Sequence, residues 1–161
     1  KGKPPATRML CVYDILGVEN MEALALKNLM IKDITEVLKE YFRNKEEILL
    51  AFIFGSAVSS RLTKGSDVDV AVLFSKMPDF SEVLKITTDV SEAIGREVDI
   101  VVLNNSSPVI RMQVLKNGKL IKSIDNASYN NFFIRTVKEY DDLKYVRKEA
   151  EENILRGRIY A

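Results

Sequence analysis

Histidine is absent from this sequence of 161 residues, and the single cysteine is Cys11. Without histidine, the chain lacks the commonest general base and every zinc or iron site that needs an imidazole ligand. One cysteine cannot form an internal disulfide, which suits a reducing compartment. A metal ion would therefore have to be bound by oxygen atoms, and oxygen ligands favour Mg²⁺ or Mn²⁺.

Strong charge of one sign and long apolar runs are missing as well. The 24 Lys and Arg residues nearly balance the 23 Asp and Glu residues, so that the net charge is +1 and no direct nucleic-acid binding is expected. No apolar run approaches the ~20 residues of a membrane span. Asp14 interrupts the short apolar run near the N-terminus, which argues against a signal peptide. We expect a cytoplasmic protein without a membrane partner.

Apolar periodicity predicts one α/β domain with a small mixed sheet flanked by helices. Pro4-Pro5 favours an irregular start. Residues 1–29 are therefore kept apart as an N-terminal segment from the domain predicted for residues 30–161. The predicted elements, in order, are a helix over 21–42, strands over 49–54 and 67–74, a helix over 81–94, a strand over 97–103, a helix over 108–117, a strand over 119–123 and a long C-terminal helix from 125.

Gly55-Ser56 directly follows the first predicted strand. A glycine there lets the backbone turn tightly and lets a ligand approach closely. If Ser56 opens a helix, the free N–H groups at that point form an anion site suited to phosphate. Taken alone, the pair is more often a plain turn.

Asp67 and Asp69 lie two residues apart on the second predicted strand, so both carboxylates face the same way. Neighbouring carboxylates repel one another unless a cation lies between them. Asp99 lies on the next strand among β-branched residues, and if the two strands are neighbours, three carboxylates converge. Such a cluster suits two hard cations in phosphoryl chemistry. The alternative is a solvated acidic face of an edge strand.

Gly55-Ser56, followed after ten residues by Asp67-Val68-Asp69, resembles the glycine-serine and paired-aspartate motif of the DNA polymerase β-like nucleotidyltransferases. Asp99 resembles their third carboxylate. The length of the chain, the segment over 108–125 and the segment over 132–143 are similar to the minimal nucleotidyltransferases, called MNT or MntA. The resemblance extends over roughly 31–154 and implies the polymerase β-like fold.

The resemblance also implies roles. Gly55 and Ser56 would hold the triphosphate of ATP, with Ser66 beside them. Asp67, Asp69 and Asp99 would be the catalytic, metal-binding residues for two Mg²⁺ ions, with Mn²⁺ as an alternative. Relatives often carry Arg and Gly soon after the serine, whereas residues 57–60 here read Ala-Val-Ser-Ser. Arg61 and Lys64 are the candidates for the missing positive charge, and the alternative is that both are solvated loop cations.

Family members of this size typically act on a partner protein. The resemblance implies an antitoxin that transfers AMP from ATP to a tyrosine of a HEPN-type toxin and releases pyrophosphate. One alternative keeps the chemistry but uses a small-molecule acceptor. The other is a non-enzymatic, nucleotide-binding antitoxin whose contact surface is the charged stripe of the last helix, over 138–149. Base preference and oligomeric state cannot be predicted from the sequence.

Overall fold

The computed structural model describes residues 33–55, 58 and 66–155, and the side chains of these residues except that of Leu155. The N-terminal segment 1–29 and the first part of the predicted 21–42 helix lie outside the described residues. Among the helices in the described ranges, none is long and apolar enough to cross a membrane.

Within the described residues, four helices and four strands follow one another in the predicted order. The elements are α1 (33–42), β1 (Ile48–Phe54), β2 (Val68–Phe74), α2 (Phe80–Ile94), β3 (Val98–Val102), α3 (Pro108–Asn117), β4 (Lys119–Ser123) and α4 (Asn126–Leu155). Each described boundary falls within about a residue of its predicted position, apart from α1, whose predicted start lies outside the described residues. The predicted mixed α/β architecture with a long C-terminal helix is therefore confirmed.

Local chemistry accounts for the sharp helix boundaries. Asp79 caps the N-terminus of α2 by accepting a hydrogen bond from the backbone N–H of Glu82 at 2.8 Å. Ser107 caps α3 in the same way, and Pro108 follows it at the first helical position, where its missing N–H costs nothing. Gly95 ends α2 in the left-handed conformation, with φ 65°.

The four strands form one sheet in the order β3-β2-β1-β4. Strand β1 pairs antiparallel with both β2 and β4, whereas β2 and β3 are parallel. The parallel pair needs a crossover, and α2 supplies it. This topology places β2, which contains Asp69 and directly follows Asp67, inside the sheet between β3 and β1.

Helices cover both faces of the sheet, and each face has its own apolar core. The first face packs against α1 and α2, and its buried residues include Leu38, Phe42, Ile53, Val70 and Val90. The second face packs against α3 and α4, and its buried residues include Leu50, Phe52, Ala71, Val114 and Phe132. Alternation along β2 thus sends Val68, Val70 and Val72 to the first face and Ala71 and Leu73 to the second.

One expectation about apolar helix residues is wrong. The spacing of Val83, Leu84, Ile86, Val90 and Ile94 predicts that all five face inward from α2. Leu84, predicted to face inward from α2, is 53% exposed, because only Ile86 and Val90 of that helix are fully buried against the sheet. The C-terminal half of α4 extends away from the sheet, so that Val146 is 60% exposed despite its helical spacing. Helical periodicity identified the helix in both places but, in α2, overestimated how wide a stripe the sheet covers.

Candidate active site

Two neighbouring strands, β2 and β3, bring acidic residues together at one end of the sheet, beside the end of β1. Asp69 is the backbone partner of Phe54 on β1 and of Asp99 on β3. Neighbouring strands lie about 4.8 Å apart, and paired residues point to the same face. Asp69 and Asp99 therefore lie side by side on the second face of the sheet. The sequence analysis left open whether their two strands are neighbours, and the structure shows that they are.

Gly55 gives this end of the sheet its shape. Its φ of 68° lies in the left-handed region that favours glycine. A Cβ added to Gly55 would collide with Oδ2 of Asp69 and lie 2.9 Å from Cγ of the same residue. The group that approaches Gly55 in the structure is thus the Asp69 carboxylate, whereas the close approach of a ligand stays a prediction. The glycine meets both a conformational and a steric requirement.

Ser66 and Asp67 precede β2 at the same end. Asp67 is exposed, and it lies two residues before the half-buried Asp69, outside the assigned strand. The backbone N–H of Val68 donates to the carbonyl of Glu97 at 3.0 Å, which joins the beginnings of β2 and β3. Asp67 therefore directly precedes the point at which backbone hydrogen bonding between β2 and β3 begins.

Arg96 is a neighbour of this site that the sequence analysis missed. Its Nη1 donates to the backbone carbonyl of Ser66 at 3.4 Å, so that the guanidinium lies beside the segment leading into Asp67. The signal that could have found it is a cation three residues before Asp99, in the loop that leads into β3. It brings positive charge to an acidic end of the sheet.

The three carboxylates differ in their surroundings. Asp69 is half-buried, whereas Asp67 and Asp99 are exposed. Within the described ranges, no group of three or more Asp, Glu or Cys side chains is arranged so that it could hold a metal ion. The structure thus brings Asp69 and Asp99 together, while the convergence of all three carboxylates stays a prediction.

The phosphate-binding half of the predicted site is only partly described. Gly55 and Ser66 lie at the same end of the sheet as the aspartates. Ser56, Arg61 and Lys64 lie outside the described residues. The donors at the described end are oxygen atoms, because the chain has no histidine and its one cysteine is Cys11. Such a donor set fits a hard divalent cation better than a soft one.

A match to a protein-family model shows which family the chain belongs to. The model described as Polymerase beta, Nucleotidyltransferase matches residues 36–127, which is more than half of the chain. The chain belongs to this family. The matched range contains Gly55, Asp67, Asp69 and Asp99, so the family assignment includes the whole acidic end of the sheet. The predicted resemblance and the predicted class of enzyme, a nucleotidyltransferase, are confirmed.

Known proteins resemble this nucleotidyltransferase in sequence and in fold. The protein adenylyltransferase MntA of Shewanella oneidensis is 24% identical over 120 residues, which cover 74% of this chain and 86% of the relative. A solved toxin-antitoxin structure with AMP-PNP has a TM-score of 0.65 and 24% identity, and covers 75% of this chain and 98% of its own.

A further solved structure holds the tri-AMPylated HEPN toxin of Shewanella oneidensis in complex with MNT antitoxin. The matched chain has a TM-score of 0.58 and 23% identity, with 80% of this chain and 98% of that chain covered. At such identities the likeness establishes the fold. The predicted polymerase β-like fold is therefore confirmed.

Proposed function

We propose that this nucleotidyltransferase is metal-dependent and moves AMP from ATP to a tyrosine hydroxyl of a HEPN-type toxin, so that it acts as the antitoxin of a toxin-antitoxin pair. The observation that carries the proposal is the placement of Asp69 beside Asp99 and against Gly55, inside the family match. Like charges side by side destabilise a sheet, so the presence of this pair favours a role in chemistry over one in folding.

In this proposal the carboxylates bind the cations and the acceptor. Asp67 and Asp69 would hold two Mg²⁺ or Mn²⁺ ions, and Asp99 would join them on the acceptor side. Bound divalent ions neutralise phosphate charge and polarise the reacting phosphate. Asp99, exposed near the start of β3, would accept the proton of an incoming hydroxyl.

The remaining predicted residues would position ATP. Gly55 and Ser56 would hold the triphosphate through backbone N–H groups and a hydroxyl, with Ser66, Arg61 and Lys64 along the same segment. The acceptor oxygen forms a bond to the α-phosphorus, the bond from that phosphorus to the bridging oxygen breaks, and pyrophosphate leaves. No covalent enzyme intermediate is needed, so positioning and charge compensation supply the catalysis.

The choice of donor and acceptor rests on the relatives. The Shewanella oneidensis relative is named a protein adenylyltransferase, and one structural neighbour contains AMP-PNP. Another pairs an MNT antitoxin with an AMPylated HEPN toxin. We extend the ATP donor, the HEPN partner and the antitoxin role to this chain on that basis. The domain limits of 30–161 and a cytoplasmic location belong to the same proposal.

The direct test is to incubate the purified chain with ATP, Mg²⁺ and the HEPN protein encoded beside it. The proposal predicts that the partner gains the mass of one or more AMP groups on tyrosine, and that the gain requires the divalent ion. A partner whose mass is unchanged after incubation, although it binds the chain, would rule out protein adenylylation.

One observation favours a second candidate, a non-enzymatic antitoxin that neutralises its partner by contact. The C-terminal half of α4 extends from the body with apolar side chains exposed, Tyr145 at 72% and Val146 at 60%. Asp67→Asn separates the two functions, because it removes a proposed ligand charge with little change of shape. Neutralisation that survives this substitution would support the contact antitoxin.

A further inference from the structure

A cleft of about 320 Å³ lies at the opposite end of the second face from the aspartates. It opens between the N-terminal half of α4 and the ends of β1, β2 and β3. Its apolar wall includes Leu49, Leu73, Leu103 and Phe132. Leu73 is four residues beyond Asp69 on β2, which separates the two places by about 13 Å along the strand. The cleft is therefore a different place from the proposed active site.

Arg111 of α3 lies in this cleft and is only 7% exposed. Its Nη2 is 2.6 Å from Oε2 of Glu139 on α4. Its Nε is buried and has no hydrogen-bond partner among the described residues. Burying a guanidinium is costly unless its donors are matched, so Arg111 retains the capacity to bind a further acceptor.

A second cation faces the same cleft. Arg135 is 68% exposed on its side chain, and its Nε is 2.7 Å from Oε1 of Glu139. One carboxylate is thus shared by two guanidinium groups, which leaves the cluster with a net positive charge. Ser128 and Asn131 precede Arg135 at helical spacing and add a hydroxyl and an amide to the lining.

We propose that this cleft binds a small organic oxyanion, a carboxylate or a phosphate monoester attached to an apolar group. Arg111 and Arg135 would bind the oxyanion, while Leu49, Leu73 and Phe132 would contact the apolar part. The volume is within the range of small-molecule sites, and the combination of apolar walls with a few convergent polar groups is typical of them. The proposal is independent of the nucleotidyl-transfer function.

The test is an NMR titration of the whole chain with benzoate and with phenyl phosphate, followed at the backbone amides of Asn131 and Arg135 and at the Arg111 Nε–H. The proposal predicts saturable shifts at these signals with at least one probe, and the tighter probe identifies the oxyanion. Benzamide, which keeps the ring but has no charge, should produce no saturable shift. Equal binding of benzamide, or no saturable shift with either anion, would overturn the proposal.

Three variants test the assignment of residues. Arg135→Gln should weaken the tighter probe by about tenfold, because one charge-assisted hydrogen bond is lost. Glu139→Gln should strengthen it by about threefold, because the competing carboxylate becomes neutral. Lys138→Gln removes the same charge from an exposed position outside the cleft lining and should leave the affinity unchanged. An affinity that is the same in all three variants, or that falls equally in Arg135→Gln and Lys138→Gln, contradicts the proposal.

Discussion

The second face of the sheet carries charged groups at both of its ends, and the two ends differ in how those charges are matched. At one end, Asp69 and Asp99 are of like charge and lie side by side in the strand register. At the other end, Glu139 is ion-paired with both Arg111 and Arg135. The first arrangement opposes folding, whereas the second stabilises it.

The difference separates charges that favour a role in catalysis from charges that stabilise the fold through ion pairs. The ion pair of Arg111 with Glu139 joins α3 to α4, and that of Arg135 with Glu139 lies within α4. The Asp69–Asp99 pair sets like charges side by side, and the fold accommodates it with the glycine turn at Gly55 and with the exposure of Asp99 to solvent. Substitutions at the two ends should therefore have different, and in one case opposite, effects on stability.

The largest effect is expected at Gly55. Gly55→Ala should lower the free energy of unfolding by about 2–4 kcal/mol, because left-handed strain adds to a collision with the Asp69 carboxylate. Gly95→Ala is the matched control, since Gly95 has nearly the same φ, 65°, but nothing within 4 Å of an added Cβ. It should lose only about 1–2 kcal/mol. Chemical denaturation of both variants measures the difference, and equal losses would show that the collision is relieved at no cost.

Removal of Arg111 should have the next largest effect. Arg111→Met leaves Glu139 with Arg135 as its remaining ion-pair partner, and we expect a loss of about 1–3 kcal/mol. Glu40→Gln is the control, because its ion pair with Arg43 is exposed on both sides and should change stability by less than about 0.5 kcal/mol. If the two variants are equally stable by chemical denaturation, the buried pair is not a structural contact.

Neutralising one carboxylate at each end should give effects of opposite sign. Asp99→Asn removes repulsion against Asp69 and should stabilise the fold by about 0.2–1 kcal/mol. Glu139→Gln weakens two ion pairs and should destabilise it. Thermal unfolding at low ionic strength measures both. A destabilised Asp99→Asn variant would contradict the view that the aspartates oppose folding.

A smaller effect concerns pH. The hydrogen bond from Arg135 holds the pKa of Glu139 below its usual value of 4.5, and the charge of Arg111 acts in the same direction. A carboxyl group with a lowered pKa in the folded state stabilises the protein above its unfolded-state pKa, and the contribution is lost as the pH falls through the folded-state value. The wild type should therefore lose more stability than Glu139→Gln between pH 6 and about pH 3.5. If the wild type and Glu139→Gln lose the same stability over this pH range, the Glu139 carboxylate does not contribute to the pH dependence of folding.

Local patterns were sufficient to predict the elements of this fold. Alternating valines identified β2, and a capping serine followed by Pro108 identified the start of α3, because these signals act within a few residues. The acidic motif also predicted that Asp69 and Asp99 would meet if their strands were neighbours. What one sequence could not specify was the strand order that makes them neighbours.

Contacts between distant residues were the part that the sequence did not reveal. Arg111 and Glu139 are 28 positions apart, and nothing in the charged stripe of α4 distinguishes Glu139 from its solvated neighbours. The same holds for Arg96 beside Ser66, which depends on the loop geometry before β3. The prediction that Leu84 faces inward was wrong for a different reason, because helical periodicity cannot show where the sheet stops covering a helix.

The central claim is that the acidic end of the sheet performs nucleotidyl transfer. Its most direct test is transfer of label from ATP carrying a labelled α-phosphate to the HEPN partner, compared between the wild type, Asp69→Asn and Glu92→Gln. Glu92 is exposed on α2, on the other face of the sheet, and its substitution removes the same charge. We predict that Asp69→Asn lowers the rate by about 100-fold or more while the protein stays folded, and that Glu92→Gln does not change it. Transfer at the wild-type rate by a folded Asp69→Asn variant would contradict the claim.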